Sequence, residues 1–286
     1  MMQGFTVCNW KTKVVRKPQE DFYKMHKIYP QTNILSVADG ITRDCLDGHP
    51  VNKSISGLIR TFVAYPRPSP AKEAAKIFCG LTFDYTSLDI NEELIKSKFR
   101  DANQEIKMFN WEVYPSPDYL VNDFAACVAS IAIEKNSEVY YGFIADCGVA
   151  ILDSKGNLRF KTPNEGPNSK GSIDQDIKTK YNTSFSEPRG RKIIRSEYRN
   201  NPKNHLAYGA LTGEESAMEY VRIGMLPRDH KDYVLVYSDG LEEIIFNGDK
   251  DISGPFVDTL KNNISQLEKF CEKIVKSEGT LIVSQK

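Results

Sequence analysis

The stretch Asn33-Ile-Leu-Ser-Val-Ala-Asp39-Gly40 is an apolar run that ends on an aspartate followed by a glycine. The pattern returns in Tyr140-Tyr-Gly-Phe-Ile-Ala-Asp146-Cys-Gly148 and in Tyr233-Val-Leu-Val-Tyr-Ser-Asp239-Gly240. Apolar, β-branched and aromatic runs of this length predict buried strands. A carboxylate at the end of a buried strand is held rigidly, and hard divalent cations need rigid oxygen ligands. Three such endings, far apart in the sequence, indicate a shared metal site.

The two Asp-Gly pairs have an alternative interpretation, because Asp-Gly is also the strongest short signal for a β-hairpin turn. Each pair is followed by further apolar sequence and a possible helix, which fits a hairpin less well. A glycine also lets its backbone carbonyl approach a metal closely, because it has no Cβ. The metal interpretation is therefore favoured.

Composition narrows the possible classes of protein. The 286 residues carry 38 basic and 38 acidic side chains, so no global field favours nucleic acid or an anionic membrane. No apolar segment approaches the length of a membrane span. The six cysteines form no Cys-x-x-Cys pair, and the four histidines are not at metal-ligand spacing, so a zinc site is not expected. Carboxylate ligands favour Mn or Mg. We expect a cytoplasmic monomer that binds neither nucleic acid nor a membrane.

The periodicity predicts both strands and helices. A helix is expected over 91–110, another begins at Ser69-Pro70, and Thr212-Gly-Glu-Glu215 has the pattern of a capping box that opens a helix to about residue 223. Further elements are three consecutive antiparallel strands (128–133, 139–145, 149–152), a last helix over 256–274 and a closing strand over 280–283. Neighbouring strands separated by pairs of helices indicate an α+β layered fold.

No linker divides the sequence, so residues 1–286 are expected to form a single domain. The segment 161–204 differs from the rest of the chain in composition, because it is rich in Lys, Asn, Ser, Pro and Gly and poor in apolar residues. We interpret it as a surface insertion within the domain.

Several motifs in their order resemble those of the type 2C metal-dependent serine/threonine protein phosphatases, and of bacterial members in particular. The resemblance covers nearly the whole chain and rests on Arg16-x-x-x-Glu20-Asp21, Val-Ala-Asp39-Gly40, Ala145-Asp146-Cys147, Gly209-Ala-Leu-Thr-Gly-Glu and Leu-Val-Tyr-Ser-Asp239-Gly-Leu-Glu-Glu-Ile-Ile. It implies a four-layer α-β-β-α sandwich, with two antiparallel β-sheets flanked by helices. It also places the segment 161–204 where relatives carry a flap beside the active site.

The resemblance implies Mn- or Mg-dependent hydrolysis of phosphoserine and phosphothreonine in proteins, with a metal-activated water as the nucleophile. Two ions would be bound, with a weaker third one possible. The resemblance implies that Asp39 bridges both ions, that the Gly40 carbonyl binds one of them and that Asp239 binds the other. Glu20 and Asp21 would act through metal-bound waters, and Asp146 would help to hold the third ion. Arg16 would bind the substrate phosphate.

Some of these residues also have simpler explanations. Glu20 and Asp21 could form a solvated turn, and Arg16 could lie on a surface strand. Asp146 could cap the turn that precedes Val149.

The sequence departs from the family pattern before the last strand. Ser277 stands where relatives have a metal-binding aspartate, and Glu278 beside it has one more methylene with which to reach the metal. A serine hydroxyl is a weaker ligand for Mn or Mg than a carboxylate. A catalytically weak or silent binding module is therefore the alternative to an active phosphatase. A phosphoesterase for small molecules is a further alternative.

Overall fold

The structure is a computed structural model of the chain. It describes residues 1–9, 19–28, 32–42, 65–81, 90–120, 124–167, 173–184, 187–248 and 251–286. Arg16 lies outside the described residues.

In the described parts of the chain, ten of the twelve strands form two five-stranded antiparallel sheets. Sheet I has the order β1-β12-β9-β6-β7, sheet II has the order β2-β3-β4-β5-β8, and β10 and β11 form a separate short pair. The strands are β1 Met2–Cys8, β2 Phe22–Ile28, β3 Thr32–Gly40, β4 Cys127–Lys135, β5 Glu138–Ile144, β6 Gly148–Leu152, β7 Leu158–Lys161, β8 Arg222–Pro227, β9 Tyr233–Tyr237, β10 Phe246–Asn247, β11 Asp251–Ile252 and β12 Glu278–Gln285.

Seven α-helices are found in the described parts of the chain. They are α1 Pro70–Gly80, α2 Glu92–Val113, α3 Ile173–Tyr181, α4 Pro188–Ile193, α5 Glu242–Ile245, α6 Gly254–Asn262 and α7 Leu267–Ile274. The predicted starts of α1 and α2 are confirmed, because the Ser69 side chain accepts a hydrogen bond from the Lys72 amide and the Asn91 side chain accepts one from the Leu94 amide. No helix among the described residues has the length and apolarity needed to cross a membrane.

Three apolar layers hold the four structural layers together. Alternation along β3 shows the arrangement: Leu35 and Val37 face the other sheet, whereas Ile34 and Ala38 face the helices. Helices α1 and α2 cover the outer face of sheet II, and α6 and α7 cover the outer face of sheet I. The predicted four-layer α-β-β-α sandwich is confirmed.

Three predictions about individual elements are wrong. Strand β6 does not pair with β5 but lies in the other sheet, between β9 and β7, so the chain changes sheets at residues 145–147. Thr212 does not cap a helix: its hydroxyl contacts Glu214, and a short 3-10 helix, Glu215–Tyr220, follows with no side-chain cap. The last helix is broken at Asn263, where the backbone has φ −157° and ψ 73°.

Candidate metal centre

Four aspartates from distant parts of the sequence line one cavity of about 310 Å³. Asp39 lies at the end of β3, Asp146 follows β5, Asp239 follows β9, and Asp21 immediately precedes β2. Asp21 is buried, and the other three are partly buried. The remaining residues of the wall are Gly40, Ile41, Thr42, Val128, Pro167, Tyr208, Ser277 and Glu278. The structure thus brings the three strand endings, Asp39, Asp146 and Asp239, to one cavity together with Asp21.

Burial, and after it the charges of neighbouring aspartates, disfavour the ionised forms of Asp39 and Asp146 in this cavity. Burial raises the pKa of Asp39 well above its ordinary value, and the charges of Asp21, Asp239 and Asp146 raise it further. Burial also raises the pKa of Asp146 to about 7, with Asp239 as the next largest cause. Without a cation, the ionised forms of these groups are destabilised. Bound cations would remove this penalty.

The Asp21 carboxylate is bound by the hydroxyl of Ser238, the residue that follows β9 of sheet I. Burial raises its pKa, while a hydrogen bond from Ser238 opposes this shift. The Ser238 hydroxyl donates to the Asp21 carboxylate at 2.7 Å and accepts from the Thr280 amide at 2.9 Å. Sequence reasoning missed Ser238, although its place directly before Asp239 is a usable signal.

Glu278 and Ser277 both line the cavity. The Glu278 side chain is buried, and its Oε1 accepts a hydrogen bond from the Asp21 backbone amide at 2.8 Å. Glu278 thus reaches toward the cavity from the position next to Ser277, as the longer side chain allows. Its carboxylate also holds the backbone at the start of β2 in place.

Glu20 has a different environment from its neighbour Asp21. Its carboxylate accepts hydrogen bonds from three hydroxyls, those of Thr42 (2.7 Å), Ser69 (2.5 Å) and Tyr65. It is not among the residues that line the acidic cavity in the described parts of the chain, although Thr42 is. The link from Glu20 to the cavity therefore runs through Thr42.

Close packing explains why glycine follows two of the aspartates. A Cβ on Gly240 would lie 1.7 Å from the Glu278 carbonyl oxygen, and one on Gly40 would lie 2.7 Å from the Ala71 carbonyl. Either side chain would force apart the elements that form the cavity. Besides carbonyl access to a metal, these glycines thus have a packing role.

The backbone turns sharply just before Asp146. Ala145 has φ +62°, a left-handed conformation that residues with a Cβ rarely adopt. A glycine at this position would have the same conformation available without strain. The turn carries the chain from sheet II to sheet I and leaves Asp146 in the cavity wall.

One residue of the segment 161–204 forms part of the cavity wall. Pro167 belongs to the segment, Tyr208 lies just beyond it, and both line the cavity. Between them, α3, α4 and the π-helical turn Ile194–Tyr198 enclose a small apolar cluster of their own, formed by Ile173, Ile177, Ile194, Tyr198 and Tyr208. That the segment acts as a flap stays a prediction.

The donor set suits a hard divalent cation that keeps much of its water. In the described part of the chain, no three acidic, histidine or cysteine side chains stand close enough to form a metal shell by themselves. Mg²⁺ in proteins is commonly held by one or two carboxylates and several waters. The cavity is large enough for such waters, since each occupies about 30 Å³ in the liquid. The residues present therefore fit Mn or Mg.

No protein-family model matches the chain, and no curated protein matches its sequence. Solved structures match it over almost its whole length. They include the catalytic domain of the serine/threonine protein phosphatase PstP in complex with two manganese ions (16% identity, TM-score 0.57, 99% of this chain and 96% of that one). RsbX in complex with magnesium also matches (12%, 0.52, 99% and 92%), as does the serine/threonine phosphatase of S. agalactiae (13%, 0.56, 99% and 98%).

The neighbours thus include bacterial serine/threonine phosphatases, as the motifs indicated. At 12–16% identity, these matches establish a common fold. The resemblance given by the motifs is confirmed at the level of the fold.

Proposed function

We propose that the protein is a Mn- or Mg-dependent phosphatase that hydrolyses phosphoserine and phosphothreonine in proteins. The observation that carries this proposal is the convergence of Asp21, Asp39, Asp146 and Asp239 on one cavity, where burial and mutual repulsion favour bound cations. The fold shared with the phosphatase PstP, whose structure holds two manganese ions, and with RsbX, whose structure holds magnesium, supports it.

Under this proposal, Asp39 and Asp239 are the main cation ligands, assisted by the Gly40 carbonyl. Asp146 and Glu278 also line the cavity and would complete the cation environment. Bound Mn or Mg would lower the pKa of a water and neutralise charge on the phosphoryl oxygens. The chain itself supplies the rigid orientation of the carboxylates, because each lies at the end of a strand or within two residues of one.

Three other predicted residues, Arg16, Glu20 and Asp21, would act around this centre. Arg16 is proposed to bind the substrate phosphate, since a guanidinium offers two parallel donors to phosphoryl oxygens. Glu20 and Asp21 were expected to act through water. For Glu20 we propose an indirect role, in which its carboxylate holds Thr42 at the cavity wall.

The test is phosphatase activity of the purified protein with Mn or Mg, using p-nitrophenyl phosphate and phosphoserine peptides as substrates. We expect turnover that is lost on chelation and restored by Mn. Asp39→Asn and Asp239→Asn should each lower kcat by at least about 100-fold, because each removes charge that holds the cations. Circular dichroism of both variants checks that the fold is intact. Absence of turnover of either substrate with Mn would contradict the proposal.

A second candidate function rests on Ser277, which lines the cavity where an aspartate was expected. A weaker cation site would leave a protein that binds phosphorylated partners without hydrolysing them. Titration calorimetry separates the two: no Mn binding at millimolar concentrations favours the silent module. If Ser277→Asp strengthens Mn binding and raises activity, the protein is a phosphatase with a weakened site.

A further inference from the structure

A second and larger depression adjoins the acidic cavity. It has a volume of about 1000 Å³ and shares Asp146, Asp239 and Ser277 with that cavity. We call it the side groove. Three stretches of chain form its walls, namely 161–164 at the end of β7, 240–248 after β9 and 274–277 before β12. A molecule bound at the aspartates can therefore extend into the side groove.

The charged side chains of the side groove are engaged with one another. The Lys161 ammonium lies 2.7 Å from a Glu242 carboxylate oxygen and 4.5 Å from the centre of the Phe246 ring. Asn164 donates to the other Glu242 oxygen at 2.5 Å. At the rim, Lys276 pairs with Glu243. Among the described residues of the groove wall these charges balance, and the shared aspartates are the excess charge of that part of the wall.

One apolar side chain of the groove, that of Ile274, is available to a ligand. Ile274 is the last residue of α7, is 50% exposed and stands on the groove wall, whereas Ile244 and Phe246, which also line the groove, are buried. The exposed surface of Ile274 would be removed from water by a ligand in the groove, and each Å² of apolar surface buried favours binding.

We propose that the side groove binds the polypeptide on one side of the phosphorylated residue, with an apolar side chain of the substrate on Ile274. This inference rests on the proposed function and specifies its substrate class, a phosphorylated protein segment with an apolar residue near the phosphoserine or phosphothreonine. A small phosphate ester would fill the acidic cavity alone and would leave the groove, more than three times larger, without a ligand.

The test uses a series of phosphoserine peptides in an alanine and serine background, in which one leucine is moved from four residues before the phosphoserine to four residues after it. We expect leucine on one side to raise kcat/KM over the all-alanine peptide by about five- to tenfold, the scale of burying part of an aliphatic side chain. Ile274→Glu should abolish this preference for the leucine peptide, and Ile274→Leu should keep it.

Val113→Glu is the matched control, because Val113 is also β-branched, is also 50% exposed and also ends a helix, but does not line the groove. It should leave the leucine preference unchanged. A leucine preference that persists in Ile274→Glu, or no preference at any position in the wild type, would overturn the inference.

Peptide affinity separates this inference from the proposed function. If the wild type with Mn hydrolyses neither p-nitrophenyl phosphate nor the phosphoserine peptides, the proposed function fails. The same peptides, labelled and measured by fluorescence anisotropy, then report on the groove directly. Tighter binding of one leucine peptide that is lost in Ile274→Glu supports the groove, and equal binding of all peptides overturns it.

Discussion

At the scale of single residues, the Ser238 hydroxyl joins the acidic cavity to the sheet beneath it. Ser238→Ala would remove the donor to Asp21 and leave the Thr280 amide without this acceptor in a buried place. Loss of a buried hydrogen-bond partner costs about 1–3 kcal/mol. We expect a loss of this size in the free energy of unfolding, measured by urea denaturation of the metal-free protein.

Ser265→Ala is the control for this change. Ser265 is exposed and its hydroxyl bonds a nearby asparagine side chain, so its removal should change the unfolding free energy by less than about 0.5 kcal/mol. Equal urea midpoints for the Ser238 and Ser265 variants would show that the buried hydroxyl does not hold Asp21.

Residue patterns predicted part of the site and not the rest. Asp39, Asp146 and Asp239 could be predicted because each ends a buried apolar run, and such runs have a clear period in sequence. The hydroxyls around Glu20 could not, because Thr42, Tyr65 and Ser69 come from separate stretches without any periodicity. Only tertiary packing brings them to one carboxylate.

At the scale of elements, the errors arise where local pattern and tertiary packing disagree. The apolar spacing of 256–274 is that of one helix, yet both halves bury residues against sheet I only because the chain bends at Asn263. Similarly, strand periodicity cannot say which sheet a strand joins, so β6 was expected beside β5. Periodicity indicates which face of a strand is buried, but it does not indicate which neighbouring strand pairs with it.

The start of α1 is linked to the acidic site through Ser69, which caps the helix and donates to Glu20. We expect Ser69→Ala to lower stability by about 1–2 kcal/mol through loss of the cap. In a double-mutant cycle with Glu20→Gln, the two changes should be non-additive, because the side chains are in contact.

Asn91→Ala is the matched control, since Asn91 caps α2 in the same way and is not one of the three hydroxyl-bearing residues that donate to Glu20. It should cost about 1 kcal/mol and be additive with Glu20→Gln. Chemical denaturation of the single and double variants gives both coupling energies. Additivity in the Ser69 cycle would contradict the link between α1 and Glu20.

At the scale of the whole molecule, the two sheets are tied at the end opposite to the aspartates. Glu134 at the end of β4 forms a buried ion pair with Arg228 and accepts hydrogen bonds from Asn33 and from Ser284 of the other sheet, each at 2.6 Å. Glu134→Ala leaves the Arg228 charge buried without this partner. We expect a loss of about 3–5 kcal/mol in the free energy of unfolding.

The double variant Glu134→Met/Arg228→Met separates charge from packing. Replacing both members of a buried ion pair by apolar residues is often close to neutral, so the double variant should be more stable than Glu134→Ala. Thermal and urea denaturation measure this order. A double variant that is less stable than the single one would show that the pair itself stabilises the sandwich.

The acidic cavity makes the stability of the whole fold depend on pH and on cations. Asp146 has an ordinary pKa of 3.8 and a pKa of about 7 in the folded protein, mainly because it is buried. The folded state therefore binds the proton more tightly than the unfolded state. This contribution is fully present below about pH 4 and is lost as the pH rises through about 7. The metal-free protein should accordingly lose stability over that range.

Asp146→Asn provides the test, because it removes this carboxyl while keeping its approximate size. The variant should gain stability relative to the metal-free wild type at pH 8 and should gain less at pH 4, as measured by urea denaturation in the presence of a chelator. Mn should stabilise the wild type at pH 8 in a concentration-dependent way, by about 2.7 kcal/mol at 100 times its Kd. If the difference in unfolding free energy between variant and wild type is the same at both pH values, the pKa of Asp146 is not raised in the folded protein.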